Sequence, residues 1–394
     1  MHTRSTAGQA TIEYLAAIAL IAAIFVFAGP AVGAPPIGKQ VVHGIRLGIC
    51  LVAGDVCSSE QAKAEGLTAC PLKSDTNGRE VSASALIYEV AGKLAFTVTT
   101  QSDGTVSVVR SRAVSGGVTG GVGPELHAGP IAIDIGPNGA IRSRLQESLG
   151  WNFPDGASAH RFLAHQLRHS FDTVHYPPSW SAGENTLLEA SAGLGAQVGI
   201  KGFADRYGLA GVAASAGALM GARVAKDGVA TTYIRVDWTL ADGGLALRPS
   251  SGPGTHSRTI ELSFDRDGPR ELAFRSAEPQ DMGNRVVDTV ERLDLRDPAN
   301  RAAAGPLIDA REPLNHLLGV LRTLHARIPE HGTIERTVSA LDDDSVSISG
   351  SVRAGPKLGA GYKKIKIHKQ LVAATVRTNG SGERDRFDCT GAQS

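Results

Sequence analysis

The sequence predicts an α+β protein: an N-terminal transmembrane helix followed by a large, mainly antiparallel β-rich extracytoplasmic domain with two helical segments. Three observations support this fold class. An uncharged, mostly apolar run extends from Leu15 to Ala34. Alternating apolar and polar residues, typical of half-buried strands, recur in three blocks after Glu80. Helical spacing of apolar residues appears between those blocks, at 156–175 and 286–327. Because strands and helices do not alternate regularly, antiparallel pairing is favoured over a parallel sheet.

The uncharged run is long enough to cross a bilayer. A helix rises about 1.5 Å per residue, so the run spans roughly 30 Å, the thickness of one hydrocarbon core. Residues 1–8 contain Arg4 and no acid, so the positive-inside rule keeps this leader cytoplasmic and residues 35–394 outside. A removed signal peptide, cut near Ala34, and an uncleaved anchor remain alternatives. Glu13, an acid directly before the run, argues against the signal peptide.

The stretch Gly8-Gln9-Ala10-Thr11-Ile12-Glu13-Tyr14 resembles the processing site of type IVb prepilins, the Flp and TadE-like class. The resemblance implies that a prepilin peptidase cuts after Gly8 and leaves Gln9 as the new N-terminus. It also implies that Glu13 pairs with the free amine of a neighbouring pilin-like subunit. Tyr14 completes the motif at the depth where aromatic rings settle in membranes. Residues 15–34 would contact membrane lipid.

The motif covers about 30 of 394 residues, and the rest of the chain only diffusely resembles large prepilin-like surface proteins of actinobacteria. This resemblance implies four regions: a cytoplasmic leader peptide (1–8), a transmembrane and assembly helix (9–34), a stalk and cysteine-containing linker (35–79) and the extracytoplasmic β-rich domain (80–394). The size of the last region favours a minor or tip subunit over a major pilin.

Four cysteines are available for disulfides if the domain lies outside the membrane: Cys50, Cys57, Cys70 and Cys389. Four cysteines allow three pairings, and the sequence does not choose among them. We prefer Cys50–Cys57 with Cys70–Cys389, because the second bond would tie together both ends of the outer domain and close a long loop. A zinc site is disfavoured, since six residues separate Cys50 from Cys57.

Turn residues and apolar spacing locate several elements. Asp103-Gly104 lies between two alternating runs and predicts a hairpin; the segment Asp265–Pro269 predicts another. Leucines from Leu314 to Leu324 recur with helical spacing and predict a core-packing helix. In Tyr362–Lys369, lysines share the strand with apolar residues, which predicts an exposed sheet edge protected by charge.

The sequence gives no positive reason to expect an enzyme, a cofactor or a metal. It has neither a Gly-x-Ser-x-Gly nucleophile motif nor a phosphate-binding loop. His165 and His169 have helical spacing but lie near Arg161 and Arg168, which favours a solvated basic face. The run Asp342–Asp344 lacks the spacing of a calcium loop. A net charge of +1 argues against nucleic acid as a partner.

The predicted function is therefore a membrane-anchored, prepilin-like surface protein, a minor pilin or pseudopilin whose outer domain serves adhesion or docking. The predicted location is the cell membrane, in a single pass with a cytoplasmic N-terminus, or a surface filament. Two alternatives stay open: a surface enzyme, and a membrane-active effector built on the glycine-rich strands.

Overall fold

A computed structural model describes residues 50, 53–85, 88–119, 125–128, 131–134, 140–168, 173, 175–191, 198–199, 213–240, 255–309, 314–353 and 357–390. The strands are β1 Pro71–Ala85, β2 Tyr88–Gln101, β3 Val106–Thr119, β4 Glu125–Ala128, β5 Ile131–Asp134, β6 Ala140–Phe153, β7 Trp180–Ser191, β8 Val198–Gly199, β9 Ala213–Ala225, β10 Ala230–Leu240, β11 Thr255–Asp265, β12 Gly268–Gln280, β13 Arg285–Asp294, β14 Thr333–Asp343, β15 Val346–Arg353, β16 Lys357–Thr378 and β17 Arg384–Asp385. The helices are α1 Ser59–Ala64, α2 Gly156–Arg168, α3 Pro298–Asp309, α4 Leu314–His331 and α5 Phe387–Thr390.

Twelve of the described strands form a closed antiparallel barrel in the order β1-β2-β3-β6-β7-β9-β10-β11-β12-β13-β14-β16. The barrel closes because β1 pairs with β2 on one side and with β16 on the other. β16 is 22 residues long, and β14 and β15 lie end to end along its other side. Strands β4, β5 and β8 form a separate three-stranded sheet.

The predicted fold class, an α+β domain behind an N-terminal helix, is therefore wrong. The antiparallel strands were expected, but they close on one another, and the helices do not form a separate layer. The predicted sheet edge at Tyr362–Lys369 is also wrong. These residues belong to β16 and pair with residues 74–81 of β1. Because β14 and β15 pair with the other side of β16, the strand has neighbours on both sides.

The strands tilt strongly around the barrel. Following paired residues from Tyr362 through Val81 and around all twelve strands leads back to β16 at Arg377, 15 residues further along. With ordinary strand spacings, this offset gives a tilt of about 40° and a backbone radius of about 12 Å. Such a barrel is wide enough to leave space inside it.

The two ends of the barrel differ. At one end, which we call the base end, short turns connect β2 to β3 and β9 to β10, and residues 53–70 and 384–390 lie against the ends of the strands. The predicted Asp103-Gly104 hairpin is one of these turns, and Gly104 has a φ of +83° that glycine adopts without strain. At the other end, the hairpin end, strands β1, β3, β7 and β10 finish at Ala85, Thr119, Ser191 and Leu240.

Helices cover the outside of the barrel near the base end. Phe162 of α2 packs on Trp151 and Val108, which are buried on the exterior of β6 and β3. Helices α3 and α4 cover β11, β12 and β13, where a second cluster is fully buried: Leu272, Leu293, Leu295, Ala304, Leu324 and Ile328. The apolar stripe predicted from Leu314 to Leu324 lies on α4, and Leu324 packs against the barrel wall.

The base consists of residues 53–70 and 384–390, held by two disulfides, Cys50–Cys57 and Cys70–Cys389. These are the same two pairs as the preferred pairing from the sequence. Val56 forms a bridge with Arg386, and β17 pairs with the end of β16. Residues 53–70 therefore form part of the base, and β1 begins at Pro71, earlier than the strand predicted from Glu80.

The predicted assembly helix, residues 9–34, lies outside the described residues. Within the part of the chain that is described, none of the helices combines the length and the apolar character needed to cross a membrane.

The predicted location is also wrong. A single-pass cell-membrane protein with a separate outer domain was expected; the outer part of the chain is instead a closed barrel whose own surfaces differ in polarity, as described next.

Candidate functional site

The inside of the barrel holds a cavity of about 680 Å³ next to the base. Its wall comes from alternate residues of β6 to β16, the ones that face away from the helices. Most of its charged side chains are paired with one another. The charged and phenolic residues of the wall are Glu184, Arg223, Tyr233, Arg235, Glu261, Arg275, Asp288, Arg292, Glu335 and Lys369.

One group of these residues centres on Tyr233. Its hydroxyl donates a hydrogen bond to Glu184 Oε1 at 2.6 Å, and Arg235 Nη1 lies 3.9 Å from the same oxygen. Arg235 Nε also donates to Asp237 Oδ2 at 3.0 Å. The Tyr233 ring lies over Gly221 on the neighbouring strand, where a Cβ would collide with it. The glycine therefore lets the ring lie flat against the wall and keeps the cavity open.

A second group lies on the adjoining strands. Arg275 Nε is 2.9 Å from Glu261 Oε2, and Arg223 Nη2 is 4.0 Å from the same atom. Lys369 Nζ pairs with Asp288 across the wall. The cavity is thus lined with ion pairs and hydroxyls, a surface that water and polar solutes wet readily.

At the base, a buried network joins the floor of the cavity to its wall. Arg386 is only 1% exposed and donates to both carboxylate oxygens of Asp388, at 2.8 and 2.7 Å. It also reaches Glu335 Oε2 at 3.3 Å and the carbonyl of Thr68 at 2.9 Å. Burial opposes the charge of Arg386, but Asp388 and Glu335 outweigh it and raise the pKa of the guanidinium. Arg292 pairs with the other oxygen of Glu335.

The outside of the barrel toward the hairpin end has the opposite character. Nine large apolar residues there each expose at least 46% of their surface. We call them the apolar band. Its members are Val81, Val90, Val114, Leu145, Met220, Ile234, Val346, Ile348 and Tyr362.

Strand register aligns the band across the sheet. Ile348 pairs with Tyr362, and Tyr362 pairs with Val81. Val114 pairs with Leu145, and further round Met220 pairs with Ile234. Paired residues on neighbouring strands point to the same face, so these side chains lie in one oblique row on the exterior from β15 to β10. Gly92 of β2 and Asn185 of β7 also belong to this row.

Residues adjacent to the band along the chain point the other way, into the barrel. Glu80 precedes Val81 and pairs with Lys93 and Lys363. At this level the barrel therefore has charged side chains inside and apolar ones outside, and its inward-facing residues also include the buried Ala91, Leu219 and Ile365. A barrel dissolved in water has the reverse arrangement, whereas membrane-spanning barrels carry an outward apolar surface and a polar interior.

The residues that the sequence marked for processing and assembly, Gly8, Gln9, Glu13 and Tyr14, lie outside the described residues and stay predictions. The cysteines are brought together in pairs as stated above. Cys70, Asp388 and Cys389 cluster tightly enough to hold a metal, but the two sulfurs are bonded to each other. His165 stacks near the Tyr176 ring, with centroids 5.1 Å apart.

Sequence reasoning missed the lumen. The signal was present in β10, where Tyr233, Arg235 and Asp237 alternate with Ile234 and Val236. Alternation shows that one face of a strand is polar, but it does not say whether that face meets solvent outside the protein or a cavity inside it.

No protein-family model and no curated protein matches the chain. Solved structures that align with it include a TodX deltaS2S3 mutant monoaromatic hydrocarbon channel (6% identity, 77% of this chain, 91% of that one, TM-score 0.19). They also include OccK5 of Pseudomonas aeruginosa (9%, 77% and 98%, TM-score 0.18). A third is the translocator domain of the autotransporter NalP from Neisseria meningitidis (8%, 89% and 99%, TM-score 0.14). The barrel described here is assigned from the strand pairings of this chain alone.

Proposed function

We propose that this chain forms a membrane-inserted β-barrel channel for water, ions or small polar solutes. The single observation that carries the proposal is the polarity of the barrel toward the hairpin end, which is apolar outside and charged inside. This function replaces the predicted one. The prediction of a prepilin-like subunit that presents an adhesion or docking domain is wrong, because the part of the chain expected to form that domain is a closed barrel with a lumen.

The exterior of the barrel supports insertion into lipid. Soluble monomers rarely expose a continuous apolar patch of more than a few hundred Å², whereas the apolar band joins nine large side chains across neighbouring strands. Transfer of apolar surface out of water contributes about 25 cal/mol per Å², so covering the band with acyl chains is favourable. Closure also pairs the backbone groups of the twelve barrel strands on both sides, as lipid requires, whereas β15 pairs with β16 alone among the described strands.

The interior of the barrel supports passage of polar solutes. A closed sheet with a backbone radius of about 12 Å leaves room for water beyond its own side chains. The cavity is lined by paired charges such as Arg275–Glu261, which lowers the cost of bringing an ion or polar solute into a low-dielectric wall. The base lies at one end of this cavity through Thr68, Ala69 and Cys70.

A leakage assay with a matched pair of variants tests the proposal. The purified full chain, held in detergent, is diluted into phosphatidylcholine vesicles that contain a small self-quenched dye. We expect release by the unaltered chain and at least a tenfold slower release by Val114→Asp, because a carboxylate on the lipid-facing side of a barrel strand is costly. Val224→Asp is the control: Val224 is 52% exposed, close to the 50% of Val114, but lies at the base end of β9.

Equal release by both variants would contradict the proposal, as would a complete lack of release by the unaltered chain. Circular dichroism of each variant checks that the barrel still forms. Release through an assembled channel should also depend on solute size, so the assay is repeated with dextran-linked dye, which a lumen of this width excludes. Equal release of the small and large dyes would indicate general membrane damage and would count against a channel.

A further inference from the structure

We propose that Arg79, Arg112 and Lys364, which we call the basic cluster, bind the phosphate groups of anionic phospholipids. This inference rests on the proposed function and adds to it the class of membrane that the barrel enters. All three side chains are exposed on the exterior of the barrel. Each lies two residues from a member of the apolar band on the same strand, on the side toward the base.

Strand register brings the cluster together. Arg79 pairs directly with Lys364 of β16 on one side and with Leu94 of β2 on the other. Leu94 in turn pairs with Arg112 of β3. The three cations therefore span four neighbouring strands with one apolar residue between them, in a row that runs alongside Tyr362 and Val81 of the band.

The row costs stability in water. Like charges placed directly opposite each other on neighbouring strands repel, and Arg79 and Lys364 are placed in that way. Among the described residues, no carboxylate forms an ion pair with any of the three cations. Glu147 pairs with Arg112 in register, yet the two side chains do not form an ion pair. A partner from outside the chain would relieve this repulsion.

Three basic residues near the cluster on the same face are neutralised within the chain. Lys366, two residues beyond Lys364, donates to Asp344 Oδ2 at 2.8 Å. Lys73 lies 3.2 Å from Asp75, and His368 bonds to the same carboxylate at 2.7 Å. Among these six residues, the three without an ion pair are the ones next to the apolar band.

This position fits lipid headgroups. With the band in the acyl chains, the basic cluster lies at the edge of the band toward the base, in the same row as Val346, where phosphates begin. Arginine and lysine side chains at that depth extend their charged ends toward the headgroups while their methylene stems stay in apolar surroundings. Basic residues next to an anionic membrane surface strengthen binding measurably, and the effect decreases with salt.

The test compares vesicles of different charge. The full chain is mixed with vesicles of phosphatidylcholine alone or with 30 mol% phosphatidylglycerol (roughly the charge of a strongly anionic leaflet), and bound protein is measured by flotation. We expect the unaltered chain to prefer the anionic vesicles and the triple variant Arg79→Gln/Arg112→Gln/Lys364→Gln to lose about 100-fold of that preference, or roughly fivefold for each side chain.

A second triple variant controls for total charge. Arg266, Arg270 and Arg322 are exposed at the base end or on α4, and replacing all three by glutamine makes the same change in net charge. This variant should keep the preference for anionic vesicles. The inference is overturned if both triple variants lose it equally, or if the unaltered chain shows no preference. It is also overturned if the first triple variant loses binding to an oligonucleotide while its lipid preference is unchanged.

Leakage from phosphatidylcholine vesicles separates this inference from the proposed function. The basic-cluster variant keeps the whole apolar band, so it should still release dye from neutral vesicles at the rate of the unaltered chain. Insertion into neutral and anionic vesicles to the same extent would contradict this inference and leave the proposed function standing. A chain that neither binds nor permeabilises any vesicle would sink the proposed function, and the inference with it.

Discussion

The two ends of the barrel differ in what covers the apolar residues on their exterior. At the base end, the exterior of the wall is covered by the protein itself: Phe162 buries Trp151 and Val108, and Leu324 buries Leu272. Toward the hairpin end, residues of the same type, such as Val81 and Ile348, are open to the surroundings. The same strands run from one end to the other, so the difference comes from what covers them.

The barrel is therefore stabilised mainly from its base end. The helices, both disulfides and the buried Arg386 network are all found there. The hairpin end, in the described residues, has no such cover, and we expect lipid to supply it. Mutations should therefore change stability in water mainly at the base end, and change membrane insertion mainly toward the hairpin end.

The largest loss of stability is expected for Arg386→Leu. Removing the guanidinium leaves Glu335 and Asp388 as carboxylates at 8% residue exposure without their shared cation. Breaking a buried ion network in this way costs about 3–5 kcal/mol. Urea unfolding of the full chain, followed by tryptophan fluorescence, measures the change.

Arg384→Leu provides the control for that measurement. Arg384 bonds to Glu65 at 2.6 Å at the same end of the barrel, but both side chains are partly exposed, at 23% and 29%. Its loss should cost at most about 1 kcal/mol. Equal losses for the two arginines would show that the buried network has no special importance and that the base is not the stable end.

A pair of core and band substitutions tests the comparison more directly. Phe162 is 2% exposed and its ring centroid lies 4.9 Å from that of Trp151 and 5.1 Å from that of Phe153. Phe162→Ala should therefore destabilise the chain by about 3–5 kcal/mol. Val90→Ala removes an apolar side chain that is 59% exposed, and its effect should stay within about 0.5 kcal/mol in water.

When insertion into vesicles is measured instead of stability, the two variants should rank in the opposite order. Val90→Ala removes lipid contacts from the apolar band, whereas Phe162 lies beneath α2 and meets no lipid. If Val90→Ala destabilised the chain outside vesicles as much as Phe162→Ala, the band would be a protein interface or a misassigned core, and lipid would not be needed to cover it.

Local structure could be predicted from the sequence more fully than the barrel. The Asp103-Gly104 turn and the helix beginning at residue 156 followed from turn chemistry and apolar spacing. Closure did not, because the pairing of β1 with β16 joins residues such as Arg79 and Lys364, which lie almost 300 positions apart. A local pattern cannot specify which distant strand supplies the missing partner. For the same reason, the lysines of β16 suggested a protected edge.

The candidate site was less predictable than the fold. Glu184, Tyr233 and Glu261 occupy unremarkable positions in alternating strands, and only the register of β7, β9, β10 and β11 brings them to one cavity. The apolar band could have been inferred in part, since Val81 lies in the first alternating block after Glu80. Without closure, however, the exposed face of those strands could not be distinguished from the buried one.

The smallest effect concerns His325 on α4, at the boundary between the covered exterior and solvent. Its Nε2 lies 2.7 Å from Glu291 Oε2. The hydrogen bond to Glu291 raises the pKa of His325, opposed by partial burial and by Arg258. A histidine with a raised pKa in the folded state contributes its stability fully below the unfolded pKa of about 6.5, and loses it as the pH rises through the folded value.

Glu291→Gln should therefore destabilise the chain at pH 5.5 and have little effect at pH 9. Because the His325 side chain is 49% exposed, the difference should be no more than about 0.5 kcal/mol. Urea midpoints measured across this pH range give the result, and His325→Gln should remove the same pH-dependent component. If Glu291→Gln were equally destabilising at both pH values, packing beneath α4 rather than charge would account for its effect, and the helices would cover the base end by shape alone.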